Sequence, residues 1–122
     1  MTTAATTSDL NSAIRALDAM IRTHADAAEA EREVPRAVID AMRDARLFDM
    51  VLPRTLGGGE TDVITMMRVI ETASVADGAT GWTLGIGAGT TSVAAYLRDD
   101  VAREIFAPGV IWEGRLRRAA AL

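Results

Sequence analysis

From residue 78 to residue 97 the chain carries no charge, reading G-A-T-G-W-T-L-G-I-G-A-G-T-T-S-V-A-A-Y-L. Within that run Gly81, Gly85 and Gly89 recur at every fourth position, which on a helix stacks them along one face. Glycine costs a helix interior about 1 kcal/mol relative to alanine, so three on one stripe require a compensating contact. A stripe without side chains lets a neighbouring backbone or a flat ligand lie directly against the helix. Trp82 and Leu84 supply bulk elsewhere around the same helix. Three things could meet the glycine face: lipid, a nucleotide phosphate, or protein.

Lipid is disfavoured by composition. The run is long enough to span a bilayer, and its small-xxx-small spacing also occurs between membrane helices. Gly, Ala, Thr and Ser outnumber Leu, Ile and Val, however, and a spanning helix is normally rich in the latter. A nucleotide is disfavoured by context. Gly85-x-Gly87-x-Gly89 lacks the third glycine of a dinucleotide fingerprint and continues as Thr90-Thr91-Ser92. The preceding Trp82-Thr83-Leu84 reads as helix, where the fingerprint needs a strand. A buried helix packed on protein is the expectation.

The rest of the chain supplies helices to pack against it. Residues 1–8 read as a disordered tail, and Ser8 or Asp9 can cap the first helix. Leu10, Ile14, Leu17 and Ile21 form its apolar stripe, continued by Ala25 and Ala28. Pro35 opens a second helix with Val38, Met42 and Ala45 as its stripe and Ile39 beside them. Residues 47–52 read as an extended apolar connector, and Gly57, Gly58 and Gly59 as a loop. Thr61 or Asp62 caps a third helix, with Val63, Met66 or Met67, Ile70 and Ala73 inward. Thr80 can cap the glycine helix, and Val101, Ile105 and Phe106 line a short last segment. The expected fold is all-α, an orthogonal or up-down bundle of about four to five helices over residues 9–107.

Little in the sequence points to chemistry. Thirteen basic against seventeen acidic residues give a net charge of −4, which argues against a nucleic-acid partner. The absence of cysteine removes disulfides, thiolate metal sites and thiol nucleophiles, and fits a cytoplasmic protein. The N-terminus lacks the basic and apolar regions of a signal peptide. The Gly57–Gly58–Gly59 loop has no Gly-Lys-Ser/Thr ending, so it reads as a tight turn placing the third helix, or as the border of a ligand cleft. His24 is the one histidine and fits a half-buried position with a backbone partner rather than a zinc site or a triad. Asp99 and Asp100 suit the positive start of a helix. Met66 and Met67 suffice as core filling, and Arg115, Arg117 and Arg118 read as a solvated tail. No catalytic residue and no metal set is expected.

The order of these features resembles a known family. The run E-R-E-V-P-R-A-V-I-D-A-M-R-D-A-R-L-F-D-M-V-L-P-R-T-L-G-G-G-E is similar to the start of the acyl-CoA dehydrogenase superfamily. There a P-x-x-V-x-x-x-(L/M)-R-x-A-G-L-F helix leads into a V-P-x-x-x-G-G loop. V-I-E-T-A-S-V-A-D-G-A-T-G-W-T-L-G-I-G resembles that family's V-I-E-x-x-A-x-x-D-x-S-x-G-W segment, and most closely the branch of flavin-dependent aromatic monooxygenases. The resemblance implies an N-terminal helical domain that stands beside a middle β-domain and a C-terminal four-helix bundle. It implies FAD or FMN, bound between those two further domains. By the same resemblance Trp82, Leu84, Gly85 and Gly89 would be cofactor or substrate-cleft wall, with Gly57 and Gly58 at its border.

Two departures qualify the likeness. The family usually has glycine where this chain has Arg46, and a left-handed cap there costs another residue about 1 kcal/mol or more. Beyond Pro108 the residues 108–122 do not resemble the start of a β-domain. The expectation is therefore a truncated flavoprotein domain that is not catalytic alone and binds no flavin tightly. Its partners would be sister flavoprotein domains or a second copy; the alternative is a helical interaction module without enzymatic role.

Overall fold

The computed structural model describes residues 7–106, whose regular elements are all helices, with no strand among them. Six α-helices follow one another: α1 (Thr7–Ala16), α2 (Asp18–Glu31), α3 (Arg36–Asp44), α4 (Val63–Ala76), α5 (Gly78–Thr90) and α6 (Asp99–Ile105). Short 3-10 turns lie at Arg54–Leu56 and Thr91–Tyr96. The expected tail over residues 1–8 and the basic stretch with Arg115, Arg117 and Arg118 lie largely or wholly outside the described residues.

The single first helix expected from the stripe is divided at Leu17. Its N–H reaches back three residues to the Ile14 carbonyl at 3.1 Å, a tightened turn, before the α-helical pattern resumes from Ile21 to Leu17 at 2.9 Å. The stripe survives the break: Leu10, Ile14, Ile21 and Ala28 are buried.

Both α2 and α3 end with an arginine in the left-handed region, Arg32 at φ 55° and Arg46 at φ 62°. In each case an amide closes back five residues, Glu33 to Ala28 at 3.2 Å and Leu47 to Met42 at 3.1 Å. This is the closure that glycine usually makes. Arg46 adds two bonds that glycine could not make. Its Nε donates to the Asp49 carboxylate at 3.2 Å, and its Nη2 donates to the Gly57 carbonyl at 2.6 Å.

The connector is buried as expected but is coiled rather than extended. Met50 bonds back to Leu47 and Leu52 to Asp49, so successive turns place Leu47, Phe48, Met50 and Leu52 all inward. An extended strand would have sent alternate side chains to solvent.

Asp62 and Asp77 start α4 and α5 by one device. Asp62 accepts from the Thr65 amide at 2.9 Å and the Thr65 hydroxyl at 2.8 Å; Asp77 accepts from the Thr80 amide at 2.8 Å and hydroxyl at 2.7 Å. Thr80 is thus the donor to the cap and not the cap. The inward face of α4 is Thr65, Val69 and Ala73, with Met66 and Ile70 half-buried. Val63, expected inward, is 62% exposed, because Asp62 sets the helix start and turns Val63 outward.

The core lies where α4 and α5 pack across α1 and α2. Leu10, Ile14, Ile21, Val38, Met42, Phe48, Val69, Leu84 and Ala88 fill it. A second cluster joins Leu52 and Leu56 to Ala94, Ala102 and Phe106, fastening α6 under the glycine loop. In α6 the buried residues are Ala102 and Phe106, while Ile105 is exposed. An Arg103 Nη1 bond to the Thr55 carbonyl at 3.1 Å holds the same junction from outside.

Candidate functional site

The α4–α5 hairpin is antiparallel, and its register can be read from the glycines. A Cβ at Gly81 would collide with Ser74, lying 2.7 Å from its Cα, and one at Gly85 would touch Ile70 Cδ1 at 3.6 Å. Gly81 therefore provides the close backbone approach expected of the stripe. At Gly89 an added Cβ would meet no described residue within 4 Å. The reason is helical drift. Four residues advance 400°, so each step rotates the stripe by about 40°, away from α4 and toward solvent. The three glycines share a row in sequence but face three surroundings.

The same arithmetic separates the side chains of α5. Thr80, Leu84, Gly87, Ala88, Thr91 and Ala94 face inward and are buried. Trp82 points the other way and is 72% exposed, whereas Leu84 is 0% exposed in the core. The two residues grouped by resemblance as cleft wall thus stand on opposite faces. Trp82 borders open space; Leu84 supports the helix from behind.

The outward face is apolar in spite of its threonines. Thr83 donates to the Ala79 carbonyl, Thr90 to Ile86 and Ser92 to Gly89, all at 2.7–2.9 Å. Each hydroxyl turns back on its own helix. With no charge over residues 78–97, the surface presents exposed Trp82 and Val93 with half-buried Ile86 and Gly89 between them.

The glycine loop lies at the far end of this face. Leu56 and Leu52 share a cluster with Ala94, so the loop sits near the end of the helix and not near Trp82, twelve residues or about 18 Å away along the axis. Gly57 has φ 89° and closes the 3-10 turn. Gly58 is buried so closely on Leu52 that a Cβ would overlap the Leu52 carbonyl. The loop amides are all engaged: Gly57 with Arg54, Gly58 with Pro53, Gly59 with Asp49, Glu60 with Leu52 and Thr61 with Met50. A phosphate cradle needs free, convergent N–H groups, so this loop is a brace and not an anion site.

Two titratable groups outside this face have local partners. His24 Nδ1 lies 2.8 Å from the Met20 carbonyl, a backbone partner of the expected kind. The Arg98 side chain on Asp100, with an N–O distance of 2.8 Å, holds that exposed carboxyl below its ordinary value. Among the described residues no three His, Asp or Glu side chains could hold a metal, and no helix is long and apolar enough to cross a membrane.

Residue chemistry missed the outward face itself. Its signal was in the sequence: positions 82, 86, 89, 93 and 96 step by four and three, a row distinct from the glycine row that shares only Gly89.

Among the described residues these features define a helical domain with one uncharged face of α5 turned outward and no metal-binding cluster. The chain belongs to the acyl-CoA dehydrogenase family: residues 7–108 match the description "Acyl-CoA dehydrogenase, N-terminal domain". It is also similar to an indole-3-acetate monooxygenase of Pseudomonas putida, 32% identical over 86 residues. That alignment covers 69% of this chain and 22% of the relative, so the chain spans about a fifth of the protein it matches. No solved structure matches it.

Proposed function

We propose that this chain serves as the N-terminal helical wall of a flavin-dependent oxidoreductase on the monooxygenase branch of the family. The parent reaction would be oxidation or hydroxylation of an organic substrate. The observation that carries the reading is the outward face of α5, an uncharged surface with Trp82 exposed and Gly89 open. A globular helix normally turns a charged or polar face outward; one that is apolar on both sides has a further partner.

The described residues do not fit a flavin-phosphate grip. The glycine loop has no free amide, residues 78–97 have no cation, and the first turns of α4 and α5 are capped by Asp62 and Asp77. A bound diphosphate needs such donors from elsewhere. What this chain supplies is a flat, water-excluding side to a cleft whose other walls belong to sister domains. Catalytic groups would come from those domains, and the isolated chain would not turn over.

The test is a flavin titration. The purified chain alone, mixed with FAD or FMN and desalted, is expected to emerge without a visible flavin band. The band should be retained when a polypeptide carrying the remaining family domains is added. Stoichiometric flavin on the chain alone would overturn the reading.

A further inference from the structure

Helix α6 and the segment before it are built differently from the rest of the chain. The 3-10 turn Thr91–Tyr96 runs for six residues, longer than its poorer hydrogen bonds usually sustain. Leu97 and Arg98 then leave it in extended conformation, at ψ 156° and 145°. The seven residues of α6 follow, just under two turns. Arg98 opens the helix without a side-chain cap bond. The ion pairs of Asp99 with Arg103 and of Arg98 with Asp100 are exposed and add little. A helix this short does not hold its shape alone in water. It persists because Ala102 and Phe106 are buried with Leu52, Leu56 and Ala94, and because Arg103 bonds to the Thr55 carbonyl.

We propose that α6 is a releasable strap. It detaches and melts as one unit, turning on Leu97 and Arg98, while α1 to α5 and the glycine loop stay folded. Two features of the packing set it apart. The main core draws its buried residues from Leu10 to Ala88, and none of them comes from α6. The amides of Gly57 to Thr61 bond to carbonyls of residues 49–54, so the loop also takes its shape without α6. What α6 does join is a smaller cluster, in which Ala94 and Ala102 bring little apolar area.

Release uncovers Leu52, Leu56 and Ala94, an apolar strip between the glycine loop and the segment that continues α5. Docked, the strap binds these two parts together through Ala102 and Phe106. Released, it leaves the loop held by its own amides and by Arg46 on the Gly57 carbonyl. The strap therefore decides whether the loop and the end of the α5 segment move as one body. Arg103 is its latch, since one guanidinium joins Asp99 within α6 to the Thr55 carbonyl on the loop. The strap rests on this chain's own packing and not on the flavin reading.

Amide hydrogen exchange of the full chain, read residue by residue by NMR, tests it. The amides of Ala102 and Phe106 donate to the Arg98 and Ala102 carbonyls within the strap. They should exchange at least about 100-fold faster than the amides of Val69 and Leu84, which open only with the core. Ile14→Val, in the main core, should speed exchange at Val69 and Leu84 by about two- to tenfold. It should leave Ala102 and Phe106 unchanged, because the strap opens while the core stays closed. Phe106→Ala should abolish protection along α6 while Leu84 stays protected. Equal exchange in α6 and the core, an Ile14→Val acceleration shared by α6, or unfolding of the whole chain by Phe106→Ala would overturn the proposal.

Discussion

Gly81 and Gly89 stand on one helix, two steps apart in the same row. At Gly81 the hydroxyl, Cβ and Cα of Ser74 on α4 occupy the space a side chain would need; at Gly89 no described residue occupies it. The first glycine serves the fold, since α4 and α5 close on each other there. The second makes no close approach to any described residue, so among these it costs helix stability without a packing return. Such a local cost without a local contact is the observation behind the proposed wall.

The sharpest way to break this comparison is to fill the closed end. Gly81→Ala should destabilise the chain by about 3 kcal/mol, the upper end for overpacking, because the Ser74 hydroxyl stands in the way and, even with it turned aside, the Ser74 Cα and Cβ remain 2.7 Å from the new methyl. Denaturant unfolding would show the loss. Gly58→Ala should behave similarly, since Gly58 meets the Leu52 carbonyl with equal closeness. If either is tolerated, the close approach is not what holds these elements together.

Removing the cap that sets the register of α5 comes next. Asp77→Ala leaves the Thr80 amide and hydroxyl without their acceptor and should cost about 1–2 kcal/mol. Asp77→Asn should recover most of it.

At the loop the two variants of Arg46 separate backbone from side chain. Arg46→Ala loses the bonds to Asp49 and Gly57 and keeps the left-handed strain; Arg46→Gly loses the bonds and relieves the strain. Alanine should therefore be the less stable of the two by about 1 kcal/mol in chemical denaturation. Equal stabilities would mean that the positive φ carries no penalty here.

The smallest effect is at the start of α4. The Thr65 amide, aided by the Thr65 hydroxyl, holds the Asp62 carboxyl below its ordinary value of 3.8. A depressed carboxylate adds stability that is present above the unfolded value and lost as pH falls through the folded one. The Thr65 amide resonance should accordingly titrate with a midpoint below 3.8, and a midpoint above it would contradict the cap.

How much of this was legible in the sequence follows from what each signal measures. Periodic apolar rows gave the inward faces of α1 and α3, where Ile14, Val38 and Met42 are buried as spacing requires. Arg46 stood out as a departure from the family's glycine, and the departure is of residue and not of backbone, since Arg46 keeps the left-handed conformation at φ 62°. On α4 the row was misplaced because Val63 is apolar but Thr65 is the buried residue, held inward by its bonds to Asp62. Apolar type alone cannot see a threonine whose hydroxyl has a partner. The connector was misjudged because a run of apolar residues shows burial and not the turns that achieve it.

The outward face of α5 was harder to read. Trp82 and Leu84 share an apolar character and near-adjacent numbers, yet 200° of rotation separates them, and only the packing of α4 against Gly81 decides which is outside. The glycine loop was readable as a turn, because close approach of Gly58 is a local requirement. That its amides are all engaged depends on carbonyls of residues 49–54, which sequence does not place.

The central claim is that one face of α5 is closed by this chain and the other is left for a partner. The most direct measurement is the melting temperature of Gly81→Ala beside Gly89→Ala, both recorded on the dilute monomer. The account predicts opposite signs: a fall of about 10–20 °C for Gly81→Ala and a rise of about 5 °C for Gly89→Ala, from helix propensity alone. Shifts of the same sign would contradict it.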